Sequence, residues 1–214
     1  MRVKAVVFDL WETLIDWNHE ANQRMHARLR ERLGFDFHER WNLARERYTA
    51  PVRDVLSRVG VPGDALDVVL AIRAEFVGGC LVPREGAVET LRTLRERGHK
   101  VGLITVCTED VEILWPDTEF AGLFDAEVFS NSVGLAKPDP QIYLHCCELL
   151  GVEPSDAVFV GDGANDELEG ARRVGMEAIL IHRPGEDPFW PEVREWDGPR
   201  VTSIPQVLEV LERC

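Results

Sequence analysis

Val3-Lys4-Ala5-Val6-Val7-Phe8-Asp9-Leu10-Trp11-Glu12-Thr13-Leu14 is the stretch whose reading decides the fold. Residues 3–8 form a short, largely apolar run, β-branched at Val3, Val6 and Val7. Such a run suits a strand buried on both faces, as in a parallel sheet. Asp9 follows at once, where that strand ends. Ligands of open α/β sheets bind at the carboxyl ends of strands, so a carboxylate there faces the crevice. Thr13 is near enough to share the pocket if the chain turns. Taken alone, the segment reads equally well as an ordinary strand end with a turn-forming Asp.

Working outward, residues 15–83 are nearly all helical in pattern. Met25, Leu29 and Leu33 recur every four residues, and Gly34 is a natural stop. A second helix is expected over 39–48, interrupted by Pro51 and resumed over 52–59. Asp64 can cap a third, running to Val77 and ended by Gly78-Gly79. From Gly86 the pattern alternates. Helices are expected around Ala87–Leu94, 138–150, 168–174 and 205–211, and strands over 100–105, 125–130, 157–160 and 177–182. The segment 183–200, with its prolines, Trp190 and Trp196, reads as a surface loop. Alternating strands and helices imply βαβ units and a parallel sheet. The expected fold is therefore α/β, a Rossmann-like core over 1–14 and 84–214. A helical cap over 15–83 is inserted after the first strand, and its ends join the chain beside Asp9.

Composition narrows the partners. The chain has 214 residues, 24 basic and 38 acidic, for a net charge of −14. That field repels nucleic acid and anionic membranes, and a small anionic substrate would need locally placed cations. No apolar run approaches the length of a membrane span. Five cysteines without metal-type spacing, and no leader, point to free thiols in a reducing cytoplasm. Nothing in the sequence sets the oligomeric state.

Each expected strand end or following turn carries a chemical group. The first delivers Asp9 and the second Thr105; Lys137 precedes a helix in Gly-Leu-Ala-Lys-Pro-Asp-Pro, and the fourth strand delivers Gly161-Asp162-Gly163-Ala164-Asn165-Asp166. In this order and on these elements, the four resemble the motifs of the haloacid dehalogenase-like superfamily, and the helical insert is similar in position to that family's C1 cap. The resemblance covers essentially the whole chain.

It implies a hydrolase in which Asp9 is the nucleophile, forming a covalent intermediate that water then hydrolyses. It further implies Mg²⁺ held by Asp9, Asp162 and the carbonyl of Trp11, with Asp166 binding through water or orienting the cluster. Lys137 and Thr105 would steady the phosphoryl oxygens. Two departures matter. Trp11 stands where family phosphatases carry an acid–base Asp, and Glu12 where Gly is usual. A Trp cannot shuttle a proton, and such help is typically worth about 10²–10⁴-fold. Glu12 is the one nearby substitute. The family's 2-haloacid dehalogenases also carry an aromatic residue at the Trp11 position and need no leaving-group acid. They lack the Asp162 carboxylate, however, and use a cap Arg beside a Trp; Trp41 is followed here by Asn42, with Arg40 and Arg45 nearby. The expectation is a Mg²⁺-dependent phosphatase, with a dehalogenase, or a catalytically weak phosphate-binding protein, as the alternatives.

Overall fold

The computed structural model describes residues 3–183 and 191–213. Six parallel strands form one sheet in the order β3-β2-β1-β4-β5-β6. They are β1 (Ala5–Phe8), β2 (Lys100–Thr105), β3 (Ala126–Phe129), β4 (Ala157–Gly161), β5 (Glu177–Ile181) and β6 (Arg200–Val201). Every residue of β1 is buried. Val6 and Phe8 face one apolar cluster, Ala5 and Val7 the other, which is why the strand reads as an unbroken apolar run rather than an alternation. β1 pairs with β2 on one side and β4 on the other. The strand order changes direction there, so the crevice opens at the ends of β1 and β4.

Helices cover both faces. On one side lie α5 (Ala87–Glu96) and α11 (Gln206–Leu211); on the other lie α8 (Pro140–Leu150) and α9 (Glu167–Arg173). Between β1 and α5 come α1 (His19–Leu33), α2 (Phe37–Leu43), α3 (Val52–Arg58) and α4 (Leu66–Cys80). Asn18 caps α1 by accepting from Ala21 N at 2.9 Å, and Gly34 ends it at φ 71°, a left-handed conformation that glycine adopts freely. Met25 and Leu29 are buried as the spacing predicts. One continuous apolar cluster runs from Phe8 and Leu10 through Leu29, Phe37, Trp41, Val69 and Ile72, so the helical segment shares the sheet's core.

Several expected boundaries shift. The 39–48 helix is α2 followed by a 3₁₀ turn, Arg45–Tyr48. α4 starts at Leu66 rather than at an Asp64 cap and continues through Gly78-Gly79 to Cys80. Burial of Phe76, Val77 and Cys80 outweighs the glycines' weak helix propensity. The expected 183–200 loop holds α10 (Pro191–Glu195), the buried Trp196 and β6; Trp190 lies outside the described residues. Two residues of β6 are too short for a periodic signal. Also unanticipated were the short helices α6 (Glu109–Leu114) and α7 (Ser130–Val133). No helix among the described residues is long and apolar enough to cross a membrane.

Buried polar ties fasten the helical segment to the core. Arg73 of α4 meets Asp110 of α6 at 2.7 Å, both side chains nearly fully buried, and its guanidinium lies 4.0 Å from the centroid of Trp41. The Glu109 carboxylate accepts from Val52 N at 2.8 Å, and Ser130 Oγ donates to the Tyr48 carbonyl at 2.7 Å. Removing one partner of a buried pair strands the other's charge. Arg73→Met is expected to cost about 3–5 kcal/mol of stability in urea unfolding, and Arg73→Met/Asp110→Leu to recover part of it.

Candidate active site

Asp9 arrives on the backbone of β1, whose ladder with β4 extends one step further: Asp9 N donates to the Val160 carbonyl at 2.9 Å. Asp162 is the second residue past Val160, so the two adjacent strands bring both carboxylates to one point. Asp162 Oδ1 accepts from Ala164 N at 3.1 Å. Lys137 comes from the turn before α8. Its Nζ is buried and donates to both Asp9 Oδ1 and Glu167 Oε2. Phe159 floors it, with Nζ 5.3 Å from the ring centroid. Glu167 Oε1 accepts from Gly163 N at 3.1 Å, and Tyr143 Oη donates to the Glu167 carbonyl at 2.8 Å, tying α8 to α9.

Asp9, Asp162 and Glu167 each present an oxygen within 4.8 Å of the others. From the sequence, Asp166 is the acid expected to bind a cation through water or to orient the cluster. Asp166 turns outward and pairs with Arg173 at 3.2 Å, while Glu167 enters the cluster. The cause is local. Gly163, Asn165 and Asp166 have φ of 88°, 52° and 62°, so three left-handed residues reverse the chain before α9 begins. Glycine at 161 is required by close approach: a Cβ there would lie 2.1 Å from Glu167 Oε1.

Electrostatics test the cluster for a cation. Burial first, and the Asp9 charge second, push the Asp162 carboxyl up to about 6. Burial, with the charges of Asp9 and Asp162, likewise drives Glu167 well above the carboxylate range, although Lys137 opposes this. Burial works against the Lys137 charge, yet Asp9 and Glu167 outweigh it and keep the ammonium protonated. Three carboxylates thus outnumber one ammonium. Burial and mutual repulsion hold Asp162 and Glu167 above the ordinary carboxylate range, a cost that a further cation on these hard oxygen donors would relieve.

The cluster floors a cavity of about 780 Å³. Trp11, the residue of the expected carbonyl ligand, lies half-buried on its wall, its ring edge-on to Trp17 at 5.1 Å. Thr105 is fully buried at the end of β2, with its Oγ1 lacking a hydrogen-bond partner among the described residues; its neighbour Val106 lines the cavity. Arg40, Asn42 and Arg45 do not line it. Arg40 donates to the Val59 carbonyl at 3.1 Å, and Trp41 stacks on Phe37. Sequence reasoning missed Glu167, His19, Arg183 and Arg84. His19 and Arg183 line the cavity; Arg84 holds Glu12, which does. Adjacency to Asp166 was the one available signal for Glu167. Nothing in the sequence pairs Arg84 with a residue 72 positions earlier.

The chain resembles known proteins over nearly its full length. It is 27% identical over 230 residues to a glyceraldehyde 3-phosphate phosphatase of Pyrococcus furiosus, covering 99% of this chain and 94% of that one. Among solved structures, a HAD phosphatase from Thermococcus onnurineus superposes with a TM-score of 0.73 at 22% identity, covering 97% of each chain. A 2-haloacid dehalogenase from Pseudomonas syringae pv. Tomato also gives 0.73, at 24% identity over 99% of each. The profile of the haloacid dehalogenase-like hydrolases matches residues 3–175, and with it the chain belongs to that family of hydrolases.

Proposed function

We propose that the protein is a Mg²⁺-dependent phosphomonoesterase acting on a small anionic substrate through an aspartyl-phosphate at Asp9. The observation that carries this reading is the meeting of the half-buried Asp162 with the buried Asp9 and Glu167, the latter two paired with Lys137. In it, an Asp9 carboxylate oxygen attacks phosphorus and the P–O ester bond breaks, its electron pair leaving with the ester oxygen, which takes a proton from water; a water molecule then hydrolyses the acyl phosphate, regenerating Asp9 and releasing inorganic phosphate. Mg²⁺ would be held by Asp9, Asp162 and Glu167, with the Trp11 carbonyl, and supplies the charge that lets the carboxylate and phosphate approach. Lys137 holds Asp9 in place and balances the phosphoryl oxygens. Thr105 Oγ1, buried and unpartnered, gives a hydrogen bond on the phosphate side. We read residues 15–83 as the cap that roofs the cavity, and the buried unpaired thiols of Cys80, Cys107, Cys146 and Cys147 as suited to a reducing cytoplasm.

Trp11 favours a second reading, 2-haloacid dehalogenase, because a halide leaves without a proton. Against it stand the three clustered carboxylates, costly without a cation, and the absence of Arg40 and Arg45 from the cavity wall. Parallel assays separate the two. Hydrolysis of p-nitrophenyl phosphate is expected with Mg²⁺ and not with EDTA, and no chloride release from L-2-chloropropionate under either condition. Metal-independent chloride release without phosphatase activity overturns the reading.

Asp9→Asn is expected to fall to background turnover. Mg²⁺ is expected to raise the melting temperature of the wild type, and less so that of Glu167→Gln, in a thermal-shift titration. Gly161→Ala drives a methyl into the Glu167 carboxylate and should weaken Mg²⁺ binding about 10–100-fold by calorimetry.

A further inference from the structure

Arg84 lies on the connection that returns from the helical segment to the core, just past the bridge between Ile15 and Pro83. Its side chain is 5% exposed, and every donor points at the segment that follows Asp9. Nη2 donates to Glu12 Oε2 at 2.7 Å and Nε to Asp16 Oδ1 at 2.7 Å. Nη1 donates to the carbonyls of Glu12 and Thr13. Arg84 N donates to the Leu14 carbonyl at 2.8 Å. A guanidinium is the side chain whose fixed fork can reach this many acceptors at once.

The segment it grips is in an unusual conformation. Glu12 has φ 56°, which an L-residue holds only where its surroundings impose it. Both carboxylate oxygens of Glu12 are engaged as acceptors, Oε1 from Trp17 N at 2.6 Å and Oε2 from Arg84. Asp16 is shared with Arg183. Burial alone would raise the Asp16 carboxyl, but Arg183 and Arg84 hold it below the usual range. Glu12 nevertheless lines the cavity, which makes it the natural rival candidate for the proton donor that Trp11 cannot be.

We propose that Arg84 is a positioning residue for the nucleophile. With Glu12 it clasps the turn that follows Asp9, and Glu12 serves as the carboxylate of that clasp instead of as an acid for the leaving group. The clasp fixes the turn that leads out of Asp9 and past the Trp11 carbonyl, and it does so from the far hinge of the helical segment. Its activity arm rests on the phosphatase reading; its binding arm does not.

The test compares Glu12→Gln, Arg84→Lys, Arg84→Met and the double variant Glu12→Gln/Arg84→Met. Mg²⁺ affinity is measured by calorimetry, and turnover on p-nitrophenyl phosphate and on phenyl phosphate, whose leaving group is more basic. Arg84→Met is expected to weaken Mg²⁺ binding and turnover about 10–100-fold, the usual effect of losing a group that orients a ligand, by the same factor on both esters. Arg84→Lys loses less, Glu12→Gln loses equally on both esters, and the double variant is no worse than Arg84→Met. A Glu12→Gln loss about tenfold larger on phenyl phosphate marks a general acid and overturns the proposal. So do losses that multiply in the double variant, or Mg²⁺ affinity unchanged in both Arg84 variants. Arg84→Lys and Glu12→Gln decide the matter if Arg84→Met does not fold. Should the wild type hydrolyse neither ester, the phosphatase reading fails and Mg²⁺ affinity alone judges the clasp.

Discussion

A buried ammonium wedged between carboxylates is the constraint on which this molecule turns. Lys137 is nearly inaccessible to water, and so are Asp9 and Glu167. Removing such charges from water costs several kcal/mol per ion unless partners and hydrogen bonds compensate. The fold supplies those partners from four separate places: the ends of β1 and β4, the turn before α8, and the first residue of α9. The sheet order makes this possible, because β1 and β4 are adjacent and their carboxyl ends share one crevice. The two clusters of apolar side chains on either face hold the strands still enough for the charges to meet.

Much of this was legible in the chain. The apolar run into Asp9, the strand whose last residue is Thr105 and the Asp162 just past Gly161 each announce a strand end with a polar group at it. Periodicity is a local property, so it locates such groups well. What it cannot do is follow a chain through left-handed residues. Asp166 and Glu167 are neighbours in sequence, and which of them faces the cluster is decided by the torsions at Gly163, Asn165 and Asp166. Pattern reading assumes that a side chain continues in the direction its element was heading. Three reversals in four residues break that assumption.

The other missed features are long-range pairings of charge. Arg84 with Glu12 and Asp16, and Arg73 with Asp110, join residues far apart in the chain. A surface Arg and a buried clasp look identical in sequence, since hydropathy assigns both to solvent. Burial by an arginine's own hydrogen bonds becomes visible only when the elements have been placed. The unusual Glu12 and the unusual Arg84 make sense together, each occupying a position that the other's charge renders tolerable.

The continuous apolar cluster that runs from the sheet into the helical segment limits which motions are cheap. Swinging α1–α4 away as a rigid body would part α4 from α6 and leave Arg73 and Asp110 facing each other across water. Rotamer changes at the rim, around His19 and the half-exposed Arg183, disturb far less. Side-chain motion at the rim of the cavity is therefore cheaper than any displacement of α4 from α6.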